Sequence, residues 1–282
     1  MDLKNIVKRR IPPKFGMIAG TMYHNARSLF NKTIKIENSQ KLVIVVVSPH
    51  KVGSTWVYKI LRELTYFHDI FPPLKIFKEY RKVRIPLEEL IPYFDTLKKG
   101  KGYLFKSHSH PPNVCPDYMR LITVIRDPRD VFVSMTNYVS NIPKELGGWG
   151  MEYANKSKQQ QLLELIEKSD FMYDLFYSWS TYDNCLLLKY EELKSDIEKC
   201  TKTIVEYCGI NADQRMITKS IELNDFSKLT GRKSGVENKS SFYRKGIVGD
   251  WKNHFNDELL KKLYTNKDNR WEKLIIALGY DL

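Results

Sequence analysis

Residues 42–47 are the stretch that most constrains the fold of this chain. All six are apolar and five are β-branched, and Ser48 and Pro49 end the run. A strand that is apolar on both faces is typical of the buried centre of a parallel sheet. After a short loop, apolar residues recur at helical spacing from Trp56 to Leu64, which predicts a helix beginning near Ser54. A strand, a loop and a helix in direct succession indicate an α/β protein.

The same alternation continues along the chain. Residues 103–105, 121–125 and 185–188 are predicted strands. After the strand at 121–125, Asp127 and Pro128 supply an N-cap and a first helical residue. The strand at 185–188 is followed by a predicted helix that ends at Gly209. Residues 257–278 are predicted to be helical, whereas residues 156–161 are polar enough for a mobile loop. We therefore predict a single α/β domain over residues 1–282, with three layers and a central parallel sheet.

The charge of the chain favours anionic ligands. Its formal net charge is +13 and its isoelectric point is near 9.4. A positive surface of this kind could bind nucleic acid, a membrane face or a multiply charged small ligand. The alternative is that the basic surface is only solvated and binds no specific partner. The lysines are spread along the chain without a long tract, which disfavours nucleic-acid binding as the main function.

The cysteines and the N-terminus indicate a cytoplasmic protein. Cys115, Cys185, Cys200 and Cys208 fit neither a CxxC metal pair nor a dense disulfide framework, so we expect reduced thiols. Basic residues at 8–10 precede an apolar stretch at 17–19 that is too short for a signal peptide. No run approaches the roughly 20 apolar residues of a membrane span, so we expect no membrane partner.

The loop between the first strand and helix has the composition of an anion site. Backbone amides and hydroxyls of Val52, Gly53, Ser54 and Thr55 can converge on an anion at the helix N-terminus, beside Lys51. The loop differs from the nucleotidase pattern GxxxxGK[ST], because its lysine precedes its single glycine. Taken alone, this sequence also suits an ordinary strand-to-helix connection.

Arg126 and Ser134 form a second candidate anion site. Arg126 follows a predicted strand, and Ser134 lies two turns into the next helix. An arginine fork and a hydroxyl in this arrangement can hold a phosphate. The alternative is that Arg126 only pairs with Asp130 at the helix start.

Arg244 and Lys245 form the third candidate site. They stand beside Gly246, which allows the backbone to approach an anion closely. As an isolated segment, this stretch also fits a surface loop.

Together, the three segments resemble the family of 3′-phosphoadenosine 5′-phosphosulfate (PAPS)-dependent sulfotransferases of the cytosolic type. The first loop is similar to the family's phosphosulfate motif PKSGTTW, with matches at Lys51, Gly53, Thr55 and Trp56. His50 and Val52 stand where that motif has proline and serine. Residues 126–134 resemble the 3′-phosphate motif. Residues 243–253 resemble RKGxxGDWKN, which is the most specific of the three.

The resemblance implies a reaction and a donor. The enzyme would move a sulfuryl group from PAPS directly, in line, to a hydroxyl or amine-type nitrogen of a small molecule, and would release adenosine 3′,5′-bisphosphate (PAP). It would contain a strand-loop-helix that holds the phosphosulfate much as a P-loop holds phosphate. No metal would be needed, because sulfuryl transfer depends on positioning and charge stabilisation.

The resemblance also implies catalytic residues. Lys106, Ser107 and His108 are similar to the family's Lys-Thr-His, so His108 would be the general base, with Lys106 and Lys51 neutralising developing charge. His110 has the same strand parity as His108. A metal pair is the rival interpretation, but a third ligand is missing, so we predict that His110 is a wall of the pocket.

Adenine requires apolar, preferably aromatic, surfaces. The resemblance nominates Trp56, Tyr190 and Phe226 for this role. The threonine that the family usually has two residues before Phe226 is Asn224 in this chain.

Other function classes and the acceptor remain open from the sequence. A nucleotide kinase or NTPase and a polyanion-binding module are the alternatives, although neither predicts the segment around Arg244. Residues 72–101 and 138–161 lie where the family places acceptor-shaping loops, but they match poorly, so a phenol, steroid, sugar or nitrogen acceptor all fit. The family's dimer motif KxxxTVxxxE is not matched after Lys252, which leaves the oligomeric state open.

Overall fold

A computed structural model describes residues 34–70, 85–141, 150–239 and 241–282. Its described strands form one parallel sheet in the order β2-β3-β1-β4-β5. The strands are β1 Lys41–Val47, β2 His68–Asp69, β3 Lys101–Ser107, β4 Met119–Ile125 and β5 Leu186–Lys189. The run at residues 42–47 is thus the central strand, and the predicted α/β fold with a parallel sheet is confirmed.

Helices connect and cover these strands. Among the described residues, those before β5 are α1 Ser54–Thr65, α2 Leu87–Asp95, α3 Pro128–Ser140, α4 Gly150–Ala154, α5 Lys158–Glu167 and α6 Asp170–Ser180. Those after β5 are α7 Tyr190–Ser195, α8 Ile197–Tyr207, α9 Gln214–Leu223, α10 Phe226–Thr230, α11 Asp257–Tyr264 and α12 Arg270–Ala277. A short 3₁₀ helix, Asp250–Asn253, precedes α11.

The two faces of β1 belong to two hydrophobic cores. Ile44 and Val46 pack in a core with residues of α1, α3, α5, α8, α11 and α12. Val43 and Val45 point to the other face and pack in a core with residues of α2 and α6. Because successive side chains of a strand alternate between faces, an entirely apolar strand suits only a sheet covered on both sides.

The prediction of a mobile loop at residues 156–161 was wrong. Ser157 caps α5, since its hydroxyl accepts from the Gln160 amide while the Gln160 side chain accepts from the Ser157 amide. The Gln161 side chain is buried and donates to the Tyr153 carbonyl at 3.0 Å. Ser157 and Gln160 therefore begin a helix, because each satisfies a backbone N–H at its start.

The C-terminal stretch is also not one helix. It divides into α11 and α12, separated by residues 265–269, of which Lys267, Asp268 and Asn269 adopt positive φ. The left-handed backbone interrupts the α-helical ladder. The strand predicted at 185–188 is observed one residue later, as β5.

Some predicted features lie outside the described residues. They are the N-terminal stretch and much of the two acceptor-shaping segments, namely residues 72–84 and 142–149. Within the part of the chain that is described, no helix combines the length and the apolar composition needed to cross a bilayer.

Candidate active site

A cavity of about 340 Å³ lies at the carboxyl edge of the sheet. Because the strands are parallel, the residues that follow β1, β3, β4 and β5 meet at this edge. The cavity is lined by these predicted site residues: Lys51, Gly53, Ser54, Thr55, Trp56, Lys106, His108, Arg126, Ser134, Tyr190, Phe226, Arg244, Lys245 and Gly246. Segments more than a hundred residues apart in the chain are thus brought together.

Val52 is the predicted site residue that does not line the cavity. Its side chain is fully buried and packs in the core that contains Val57 and Leu61. Val52 anchors the loop to the core instead, and only its main chain remains available to a ligand.

Gly53 shapes the loop between β1 and α1. It is the N-cap of α1 with φ of 102°, and a Cβ at this position would lie 2.6 Å from Cδ2 of Tyr190. Only glycine adopts this backbone without strain and leaves room for the tyrosine ring. No described side chain caps this end of α1. Its first amides are therefore available to an anion, where the helix dipole also favours negative charge.

The charge of the cavity lining is strongly positive. Its cationic side chains are Lys51, Lys106, Arg126, Lys194, Arg244 and Lys245, and none of the described residues that line it is a carboxylate. Burial, and then the positive charges of Arg126, Lys106 and Arg244, lower the pKa of Lys51 to about 7. Burial lowers the pKa of Lys106 to about 8. Burial and mutual repulsion therefore disfavour the protonated forms of these lysines in the empty cavity. A bound polyanion would favour their protonated forms.

Two aromatic rings enclose the Lys51 ammonium group. It lies 3.9 Å from the centre of the Phe242 ring and 4.7 Å from that of Tyr138, and it donates to the Phe242 carbonyl at 3.3 Å. Cation–π contacts of this kind stabilise the charged form. The segment around Phe242 therefore contacts the lysine of the anion loop directly.

Hydrogen bonds define the tautomer of His108. Its Nδ1 lies 2.8 Å from the Ser48 carbonyl, which can only accept, so Nδ1 carries the proton. Its Nε2 therefore holds a lone pair, to which Lys106 Nζ donates at 2.9 Å. A general base requires a neutral imidazole whose unprotonated nitrogen lies at the cavity, and His108 has this form.

The prediction that His110 is a wall of the pocket was wrong. Its side chain is exposed, and its Nδ1 lies 3.1 Å from the hydroxyl of Ser178 on α6. Because β3 ends at Ser107, the two histidines do not continue a common strand face. Across the described residues, no group of three or more metal-ligating side chains could hold an ion.

Arg126 makes the ion pair that was its alternative role and also lines the cavity. Its Nη2 donates to Asp130 at 3.0 Å and to the Ile247 carbonyl at 2.7 Å, and its guanidinium lies 4.3 Å from the centre of the Tyr190 ring. Its Nε is buried with no hydrogen-bond partner among the described residues. The Nε–H group of this guanidinium is thus a buried donor that no described residue satisfies.

Asp250 holds the two cations of the third segment. Arg244 donates to both Glu237 and Asp250, and Lys245 donates to Asp250 at 2.6 Å. Burial favours the neutral acid, but these hydrogen bonds outweigh it and hold the pKa of Asp250 far below its usual range. Arg244 and Lys245 are therefore pre-positioned at the cavity.

The nominated aromatic residues, Trp56, Tyr190 and Phe226, all line the cavity. Trp56 is oriented by its indole N–H, which donates to the Asn224 carbonyl at 2.9 Å. Gly246 has φ of 68°, and a Cβ there would lie 2.6 Å from Cε2 of Phe226. The main chain at Gly246 thus packs directly against an aromatic ring.

Comparison with known proteins decides the family. The family model described as "Sulfotransferase domain" matches residues 42–268. The chain belongs to the sulfotransferase family. This sulfotransferase is therefore a transferase that moves sulfuryl groups, and the kinase, NTPase and polyanion-binding alternatives are not favoured.

Its relatives are distant in sequence. It is 26% identical to sulfotransferase 2A1 of Macaca fascicularis over 79% of this chain and 83% of that protein. It is 25% identical to sulfotransferase 6B1 of Danio rerio over 85% and 82%, respectively. Among solved structures, mouse sulfotransferase SULT7A1 complexed with PAP superposes with a TM-score of 0.59 at 21% identity, covering 86% of this chain and 92% of that one. These likenesses confirm the predicted family and fold.

Sequence reasoning missed several residues of this sulfotransferase's site. Tyr138 and Phe242 contact Lys51, and Lys194 lines the cavity. The pairing of Asp130 with Arg126 was foreseen, but not that Asp130 also accepts from the amides of Gly249 and Trp251, at 2.8 and 2.9 Å. Asp130 and Asp250 each lie within a few residues of an arginine, and a buried arginine requires a partner, so the sequence could have predicted that these two carboxylates hold the cations of the site.

Proposed function

We propose that this sulfotransferase uses PAPS as its donor and transfers the sulfuryl group directly to a hydroxyl, or an amine-type nitrogen, of a small-molecule acceptor, releasing PAP. The observation that carries the proposal is that all three motif segments line one cavity whose described lining has cations and no carboxylate. The PAP complex of the mouse relative supports the same donor.

The residues present fit a donor with two anionic ends. The amides at Gly53 to Thr55, with Lys51, would hold the phosphosulfate. Arg126, whose Nε is an unpartnered buried donor, and Arg244 would hold the 3′-phosphate, with Ser134, Lys245 and Gly246 beside them. The rings of Trp56, Tyr190 and Phe226 would enclose the adenine. The cavity volume is within the usual range for small ligands.

In the proposed mechanism, His108 Nε2 accepts the acceptor's proton as the acceptor oxygen forms its bond to sulfur. The bond between sulfur and the bridging oxygen breaks at the same time. Lys51 and Lys106 stabilise the negative charge on the bridging and sulfuryl oxygens, and Lys106 turns from Nε2 to do so. Because no covalent intermediate forms, catalysis depends on positioning and electrostatics.

The direct test uses sulfur-labelled PAPS with a panel containing a phenol, a steroid alcohol, a sugar and an arylamine. We expect a labelled product from at least one acceptor, with one PAP released per sulfate transferred. ATP in the same assay should be left intact. Hydrolysis of ATP, or PAP release that never yields a sulfated product, would contradict the proposal.

The pH dependence of PAP binding should report on Lys51. With a pKa of about 7 in the free enzyme, Lys51 loses its proton above that pH, whereas a bound anion favours the protonated form. PAP affinity should therefore fall as pH rises from 7 to 9, by up to about tenfold per unit for each proton taken up. Calorimetry in buffers of different ionisation enthalpy should show proton uptake on binding.

Lys51→Arg provides the matched control for this pH effect. An arginine stays protonated throughout this range, so its profile should be flatter between pH 7 and 8, where Lys106, with a pKa of about 8, loses its proton less than Lys51 does. A variant with the wild-type slope would assign the proton to another group.

Gly246→Ala should weaken PAP binding through Phe226. Gly246 and Gly249 both have positive φ, of 68° and 75°, so alanine strains the backbone by about 1–2 kcal/mol at either position. At Gly246 the new Cβ meets the Phe226 ring, whereas at Gly249 no atom of the described residues lies within 4 Å of it. We expect Gly246→Ala and Gly249→Ala to lose similar thermal stability. Only Gly246→Ala should also lose affinity for PAP. Equal PAP affinities in calorimetry would remove Phe226 from the donor site.

We further propose one domain over residues 1–282 and a cytoplasmic location. Support for the first is that Trp271 and Leu274 of α12 pack in the same core as β1. The cysteine spacing supports the second.

A further inference from the structure

His50 lies face to face with the proposed base. The ring centroids of His50 and His108 are 4.0 Å apart, and the ring planes are inclined by 30°. Both side chains are half-buried and both line the cavity. The phosphosulfate motif that this loop resembles has proline at position 50, and a proline could not make this contact between aromatic rings.

The stack supplies the restraint that the hydrogen bonds of His108 lack. Its bonds to Ser48 at Nδ1 and Lys106 at Nε2 both lie at the edge of the ring. Edge contacts define which nitrogen faces the cavity but resist tilting of the ring only weakly. A second planar ring against its face opposes that tilt, because offset stacking has a preferred separation and orientation.

The loop after β1 thereby holds His108 at two places. Ser48 contacts the edge of the ring and His50 covers one face. The next residue, Lys51, belongs to the anion loop and has a left-handed φ of 63°. The position of the base is thus tied to the loop that binds the transferred group.

We propose that His50 is a positioning residue, whose ring keeps His108 Nε2 directed at the acceptor and in register with the anion loop. The role belongs to the flat ring of His50 and not to its protonation. This inference rests on the proposed function, in which His108 is the base.

Two variants distinguish the role of the flat ring from that of its ionisable proton. His50→Ala removes both, whereas His50→Phe keeps a planar ring that cannot be protonated. In the full-length protein, long-range ¹H–¹⁵N correlation spectra report the tautomer of each histidine, and the His108 signals are those lost in His108→Ala. We expect the Nδ1-protonated form of His108 in wild type and in His50→Phe. In His50→Ala the unrestrained ring tilts and its hydrogen bond to the Ser48 carbonyl weakens, so we expect a mixture of tautomers. PAP affinity should change by no more than about twofold in both variants.

Turnover is measured with PAPS and the panel acceptor that wild type sulfates fastest. His50→Ala should lower kcat at least about tenfold, since small misplacements of reacting groups are costly, and His50→Phe should recover most of it. A His50→Ala protein with the wild-type tautomer and kcat would overturn the proposal. So would a His50→Phe protein as slow as His50→Ala, because the imidazole itself would then be required.

The spectra distinguish this inference from the proposed function. They need neither donor nor acceptor, so the effect of His50 on the His108 ring is measured even if no acceptor turns over. Thermal unfolding of both variants shows whether a decrease in kcat results only from loss of the folded state.

Discussion

Replacement of His108 with alanine should reduce kcat for a hydroxyl acceptor by about 10²- to 10⁴-fold, which is the usual loss when a general base is removed. The physical reason is that Nε2 holds a lone pair at the cavity because the Ser48 carbonyl keeps the proton on Nδ1. PAP affinity should change little, since His108 is assigned to the acceptor's proton and not to the donor's phosphates. Steady-state rates with labelled PAPS and calorimetry with PAP measure the two effects.

His110→Ala is the matched control. His110 is two residues away, but it is exposed and hydrogen-bonded to Ser178. Its alanine variant should retain most of the wild-type rate. The opposite ranking of the two variants would transfer the role of base to His110. An acceptor nitrogen that is already neutral should depend less on His108, so comparison of phenol and arylamine acceptors gives a further check.

The second large effect should be a preference of at least about 100-fold for PAPS over adenosine 5′-phosphosulfate, which lacks only the 3′-phosphate. Charge-assisted hydrogen bonds to ionised groups contribute about 1.5–3 kcal/mol each, and each 1.4 kcal/mol is tenfold in affinity. Arg126 and Arg244 are both buried and both line the cavity. Without the 3′-phosphate, the buried Arg126 Nε would remain without a partner.

Arg126→Ala and Arg244→Ala should reduce that preference by weakening PAPS while leaving adenosine 5′-phosphosulfate nearly unchanged. Arg244→Ala also leaves Asp250 with fewer donors, so some loss of stability is expected. Arg244→Lys keeps the charge and should give an intermediate preference, because it loses the fork.

Arg120→Ala is the control for loss of charge. Arg120 donates to the carbonyls of Asp117 and Met119, at the start of β4 and away from the cavity. Its removal should not alter the preference. Calorimetric titration of both nucleotides into all variants tests the assignment, and equal wild-type affinities for the two donors would refute it.

The sequence by itself determined the sheet and the position of the site. Residues 42–47 are apolar on both faces, which is typical of a central strand in a parallel sheet covered on both sides. Lys51, His108 and Arg126 each follow a strand, and parallel strands bring such residues to one edge. The capping box at Ser157 was also a local signal, with a glutamine three residues after a serine, but the polarity of the segment was given more weight and the helix start was missed.

Only the tertiary structure decided how the side chains are paired. Asp130 joins Arg126 to amides at Gly249 and Trp251, and Asp250 holds Arg244 and Lys245. His50 stacks on His108, whereas His110 turns away from the cavity. These outcomes depend on the directions of side chains from segments far apart in the chain. Strand and helix periodicity determine which face a residue occupies, but not which distant partner meets it there.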